Sequence, residues 1–346
     1  MNLIELTRRL IDIPSLSGEE AEVGQFLADY LERLGYTVEM PEVSGGRSNV
    51  LATLGTRTRF VLSTHMDTVP PFIASSEDDD YVYGRGACDA KGIIAAQMAA
   101  AERLRAEGLE ELALLFTVEE ELGSAGARAA NSHRLASQNE YLINGEPTDN
   151  RLALGSKGSL RLVLRTRGRA AHSAYPEHGE SAIEKLLDLL AEIREYRWPT
   201  DDFFGETTCN IGLIAGGTRP NVIPAQARAD LQIRLVTKST LVKELLEQLV
   251  AGRAEVEYLS VAEPVRLHAV EGFEQTVVRF TTDIPYLASW GRPLLLGPGS
   301  ILDAHTTHER VSKRELADAV ELYARLVRRL AEREDAGVQL AGRRED

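Results

Sequence analysis

RFVLSTHMDTVP, residues 59–70, carries an apolar run straight into a histidine and an aspartate two positions apart. FVLSTH has the length of a buried strand, and strand alternation puts His65 and Asp67 on one face. An ordinary half-buried histidine beside a turn aspartate explains the pair as well as a metal site does. The rest of the chain has to decide between them.

The same arrangement recurs. LALLFTV (112–118) runs into Glu119 and Glu120 of TVEEELGSAG, and YLING (141–145) into Glu146 of GEPTDN. PLLLG (293–297) leads through GPGSILDAHTTHE to His305. Asp89 of YGRGACDAKG stands immediately before an Ala-rich helical stretch, KGIIAAQMAAAERLRAE. Strand and helix patterns alternate through these segments, which predicts an α/β fold with a mostly parallel sheet and helices on both faces. In such a sheet the carboxyl ends of the strands form the ligand-binding edge. Taken singly, Glu-Glu reads as a solvated loop, Asp89 as a helix cap and Glu146 as a surface acid. Packing gives no reason for two histidines and four carboxylates to collect beyond apolar strands. GRGACD is not a dinucleotide loop, because no strand feeds it directly and its third glycine is missing. Cys88 reads as a small packing thiol, and Asp78, Asp79 and Asp80 as a solvated turn.

Between residues 158 and 262 the pattern changes to strand-helix-strand-strand-helix-strand. SLRLVLRTRGR alternates like a half-exposed antiparallel strand, and ESAIEKLLDLLAEIREY is amphipathic. This predicts a small α+β, ferredoxin-like domain inserted into a larger one made of 1–157 and 263–346. The insert carries 13 basic and 14 acidic side chains, so nearly all of the net charge of −14 lies outside it. That charge argues against nucleic acid or an anionic membrane as partner. No apolar run approaches the roughly 18 residues of a membrane span. The N-terminus reads as an amphipathic helix, not a signal peptide. Cys88 and Cys209 form no disulfide or CxxC framework, and a cytoplasmic location is expected. Ser17 and Glu20 have capping-box spacing, which predicts a helix to about Leu34. A last helix is expected over 312–333, with the charged tail after Glu334 fraying.

STHMDTVP, YGRGACDAKG, TVEEELGS, GEPT, GRAAHSAYP, NVIPAQARADLQIR and AHTTHE, taken in order, closely resemble one dinuclear zinc peptidase and deacylase family. It includes glutamate carboxypeptidase, acetylornithine deacetylase and succinyl-diaminopimelate desuccinylase. The resemblance covers nearly the whole chain and implies a catalytic domain interrupted by a lid and dimerisation domain. It implies two divalent ions, zinc or alternatively cobalt, bridged by Asp89. His65 and Glu146 would complete one site, and Glu120 and His305 the other. Glu119 would be the general base and Asp67 the group that orients His65. From the lid, His172 would stabilise the oxyanion, in desuccinylase-like relatives across a dimer. Asn221 and Arg234 would bind substrate carboxylate, as would the backbone at Gly297 and Gly299. The family pattern also places the ligand at His305 in preference to His308, and Arg219 is left open. The activity implied is removal of an acyl group from an N-acyl amino acid of acetylornithine or acyl-lysine type. A dipeptidase or carboxypeptidase is the alternative, and a non-catalytic metal-binding scaffold is the reading from another class.

Overall fold

The computed structural model describes residues 1–341, with side chains through residue 332. Helix α1 (Leu3–Ile11) buries Leu6, Leu10 and Ile11, and a reciprocal capping box between Asn2 and Glu5 starts it. Helix α2 (Ala21–Arg33) has no side-chain cap. The expected Ser17–Glu20 box does not form, because both side chains are used elsewhere. Ser17 Oγ donates to Asp67 at 2.7 Å, and the Glu20 carboxylate accepts the Glu119 amide at 3.1 Å.

Next in order come β1 (Thr37–Glu39), β2 (Val50–Thr53), β3 (Phe60–His65), α3 (Lys91–Ala106), β4 (Leu112–Thr117), α4 (Ala125–Ala130), β5 (Tyr141–Asn144) and β6 (Leu152–Ser156). Then follow β7 (Gly158–Arg167), α5 (Ala182–Glu195), β8 (Thr208–Gly216), β9 (Gln226–Leu235), α6 (Ser239–Val250), β10 (Glu255–Ala262), β11 (Arg292–Leu295) and α7 (Lys313–Ala341). The tail expected to fray begins inside α7, and its last residues, 342–346, lie outside the described residues. Two compact units result. One holds residues 1–154, 267–276 and the chain from 282 onward; the other holds 155–266 and 277–281. The inserted unit is thus a few residues longer at each end than 158–262, and it recruits a short later segment.

In the first unit the strand order is β1-β2-β4-β3-β5-β11-β6. The four central strands are parallel, and the flanking pairings are antiparallel. Helices cover both faces, unequally. Phe60, Leu62, Leu114, Phe116 and Ile143 face a core built with α1, α2, α3 and α7. Val61, Leu115 and Leu142 face a thinner layer made by α4, Leu287 and Trp290. Trp290 is fully buried there, and its Nε1 donates to the Ala130 carbonyl at 3.0 Å. Burial on both sides explains why these strands read as continuous apolar runs.

The second unit is an antiparallel sheet, β8-β9-β7-β10, with α5 and α6 packed on one face. Leu160, Leu162 and Leu164 of β7 point into that core, as its alternation requires. β8 is an edge strand, and its Leu213 and Ile214 are exposed.

Candidate metal centre

The carboxyl ends of the parallel strands deliver the site. His65 is the last residue of β3, Glu119 to Glu121 follow β4, Glu146 follows β5, and His305 lies on the loop after β11. Asp89 arrives from the turn before α3. His65 Nε2 lies 2.9 Å from Asp89 Oδ1, and His305 Nε2 lies 3.3 Å from Asp89 Oδ2. Both oxygens of Asp89 therefore face an imidazole. His305 Nε2 is also 2.8 Å from Glu121 Oε1. One ligand atom each from His65, Asp89 and Glu121 fall within 4.8 Å of one another. That spacing suits a shared cation, and imidazole with carboxylate is a zinc-type donor set. Glu146 is buried nearby, and its Oε1 has no hydrogen-bond partner. A buried oxygen left without a donor is what a cation would satisfy. The residues fit a divalent metal.

The structure departs from the sequence reading at the three adjacent glutamates. Glu121, not Glu120, joins His65, Asp89 and His305. Glu119 turns away, its carboxylate 2.9 Å from Arg47. The cause is local backbone. Glu119 has a left-handed φ of 64°, which breaks the alternation expected just past a strand. Asp67 then fixes the turn by accepting the amides of Glu120 and Glu121 at 3.0 and 3.1 Å. Glu120 is left half-buried among Glu146, Asp283, Glu121 and His65, without a place in the three-ligand cluster.

Asp67 also sits beside His65. Nδ1 lies 3.0 Å from the Asp67 carbonyl and 3.4 Å from its carboxylate, so the backbone oxygen is the nearer acceptor. Either contact leaves Nε2 facing Asp89.

The charges of the protein alone describe a site crowded with acid. Burial, then the charge of Glu146, pushes the Glu120 carboxyl well above the usual range. Burial also raises Glu146 well above that range, with Asp89 and Asp283 adding to it. Burial and Asp89 raise Glu121. Asp283 is pushed up to about 6, chiefly by burial. His305 is raised to about 10 by hydrogen bonds to Asp89 and Glu121. Burial opposes protonation of His65, but hydrogen bonds to Asp67 and Asp89 outweigh it and leave its pKa well above normal. Asp89 and Asp67 are held low by their imidazole neighbours despite burial. Carboxylates this close repel one another, and a divalent ion relieves the repulsion.

The glycines after β11 sit tight against other protein atoms. A Cβ on Gly297 would come within 2.4 Å of the Glu146 carbonyl, and one on Gly299 within 2.5 Å of the Cys88 Cβ. His308 is exposed and outside the cluster. Glu121, Asp283 and Glu309 are the site residues that sequence reasoning missed. Glu121 was visible as the third acid of a run and Glu309 as the end of AHTTHE, whereas Asp283 stands in no pattern.

In the second unit, His172 is exposed and bridges to Val222, and the Ser173 amide donates to the Asn221 carbonyl at 3.0 Å. His172 and Asn221 are therefore neighbours. Arg234 lies near the far end of β9, its Nη1 3.3 Å from Thr281 Oγ1.

A model of peptidase family M20/M25/M40 matches residues 61–329. The chain belongs to the M20 peptidase family. It is 38% identical to an M20 domain-containing peptidase protein of Schizosaccharomyces pombe, over 94% of this chain and 84% of that one. It is 36% identical to a probable carboxypeptidase of Emericella nidulans, over 95% and 90% of the two chains. Among solved structures it resembles an M20 family metallo-carboxypeptidase of Sulfolobus solfataricus, with TM-score 0.77, 19% identity and coverage of 94% and 98%. A dinuclear metal binding peptidase of Bacillus subtilis gives TM-score 0.68 at 17% identity, over 93% and 95% of the two chains. At these identities the structural likeness shows the fold. Membership makes this M20 chain a metallopeptidase, and M20 enzymes depend on metal. No helix among the described residues is long and apolar enough to cross a membrane.

Proposed function

We propose that the chain hydrolyses an amide bond to release an amino acid that carries a free α-carboxylate. The observation that carries this reading is the His65–Asp89–Glu121 cluster, with Glu120 beside it and outside the three-ligand set. His65, Glu146, Glu121 and His305 would hold two divalent ions, with Asp89 between them. Bound there, zinc would polarise the scissile carbonyl and lower the pKa of water toward about 7. Glu120 takes the role first expected of Glu119. Its carboxylate removes a proton from the attacking water and returns it to the leaving amine. Burial, and then the charge of Glu146, raise its proton affinity, which suits a group that must hold that proton between the two steps. Asp67 keeps His65 aligned and holds the amides of Glu120 and Glu121 in place.

His172 is retained as the oxyanion donor, with Asn221 and Arg234 as binders of the substrate carboxylate and the backbone at Gly297 and Gly299 beside it. The second unit would then act as lid and dimerisation surface, with β8 as the edge available to a second copy. The acyl half has two readings. The names of the fungal relatives favour a peptidyl donor, and hence a carboxypeptidase. The likeness of TTHE and GPGS to the deacetylase branch favours a small acyl group, as in an N-acyl ornithine or lysine. Both release the same kind of amino acid.

Turnover of zinc- and cobalt-loaded protein on N-acetyl amino acids, N-succinyl amino acids and dipeptides tests the proposal, with carboxyl-amidated versions of each as controls. Hydrolysis should require the free carboxylate. Equal cleavage of the amidated forms contradicts the substrate class, and no cleavage of any compound supports the scaffold reading.

A further inference from the structure

Glu309 closes the AHTTHE stretch, and neither ion binding nor proton transfer uses it. It is 1% exposed. Its Oε1 accepts the amides of Gly86 at 2.9 Å and of Cys88 and Asp89 at 3.3 Å each. Its Oε2 lies 2.5 Å from Arg85 Nη1, and its carbonyl accepts the Gly84 amide at 3.0 Å. Three amides of the turn that ends at Asp89 thus converge on one oxygen, from a residue four positions after His305. The structure assigns Glu309 as a positioning residue that locks the Asp89 turn to the His305 loop, so that one carboxylate meets both imidazoles.

Hydrogen bonds from amides to an ionised carboxylate are among the stronger ones, and a single acceptor shared by three donors fixes their relative orientation. Burying that carboxylate is costly, and the buried guanidinium of Arg85 offsets the cost. Asp89 presents Oδ1 to His65 at 2.9 Å and Oδ2 to His305 at 3.3 Å, on opposite sides of one small group. Rotation of its backbone would improve one contact at the expense of the other. Groups that orient ligands in this way are worth roughly 10–100-fold in metal affinity.

The inference rests on reading the cluster as an ion site, so the test measures zinc binding by competition with a chromophoric chelator, beside thermal unfolding. Wild-type protein that takes up no zinc overturns the ion site itself, and this inference with it. Given wild-type binding, Glu309→Ala should bind zinc about 10–100-fold more weakly while folded, well below its unfolding midpoint. The double variant Arg85→Met with Glu309→Gln keeps an acceptor for the three amides and removes the orphaned cation. It should recover most of the lost affinity, which a general loss of stability would not predict. Folded Glu309→Ala with wild-type affinity overturns the assignment. If that variant does not fold, a folded double variant with zinc affinity still reduced tenfold or more overturns it.

Discussion

Glu119, Glu120 and Glu121 are chemically identical, and their surroundings divide the work among them. Glu119 pairs with Arg47 and its amide is held by Glu20. Glu119→Gln should keep metal content and leave kcat nearly unchanged, with on the order of 1 kcal/mol lost in denaturant unfolding. Asp89 sits between both imidazoles, so elemental analysis of Asp89→Ala should show most of the bound metal gone. The displaced pKa values also fix a pH dependence for metal-free protein. Asp283, raised to about 6, binds its proton more tightly folded than unfolded, so its contribution declines as pH rises from its ordinary range through 6. His305, raised to about 10, adds stability below its ordinary pKa that is lost as pH rises through 10. Both terms have one sign. Chelator-treated protein should melt at a lower temperature at pH 9 than at pH 6, and zinc should narrow the gap because its ligands bind it deprotonated. A melting temperature that climbs over this interval contradicts the electrostatic picture.

At the scale of elements, β3, β4, β5 and β11 were legible because strands buried on both faces are written as unbroken apolar runs. Their polar successors marked the sheet edge. The helices α3, α5 and α6 were legible from periodicity and composition. Backbone excursions at strand ends were not. Nothing in TVEEELGS announces a left-handed Glu119, and with that residue it is Glu121, not Glu120, that joins His65 and Asp89. The Ser17–Glu20 spacing misled for a related reason, since Asp67 and Glu119 compete for the same side chains. Asp283 was invisible because its partner Thr117 is 166 residues away in the chain. The glycine after β11 provides a test at this scale. Gly297→Ala would drive a methyl group to 2.4 Å from the Glu146 carbonyl, so it should displace Glu146 and weaken zinc binding by competition assay. Trp290→Ala strikes the thinner layer, away from the acids. It should cost about 3–5 kcal/mol in unfolding while folded protein still takes up metal.

For the molecule as a whole, the substrate contacts proposed for the second unit lie at two separate places. Arg234 lies near the end of β9, whereas the His172–Asn221 pair lies beyond its start. At about 3.3 Å per residue these groups are on the order of 20 Å or more apart along one sheet. Under the proposed roles a small substrate cannot touch both from one chain, so His172 and Asn221 together would reach it from a neighbouring subunit. Mixing inactive His172→Ala with inactive Glu120→Gln under subunit exchange should restore activity, and an exchanged mixture that stays dead means that His172 serves its own chain or has no catalytic role. The central claim is the division between base and ligand, and it is tested most directly by measuring bound zinc and kcat together in Glu120→Gln and Glu121→Gln. Glu120→Gln should keep its zinc while kcat falls by about 10²–10⁴, the range for lost general-base catalysis. Glu121→Gln should lose zinc. Retained zinc in Glu121→Gln with lost zinc in Glu120→Gln would contradict the account.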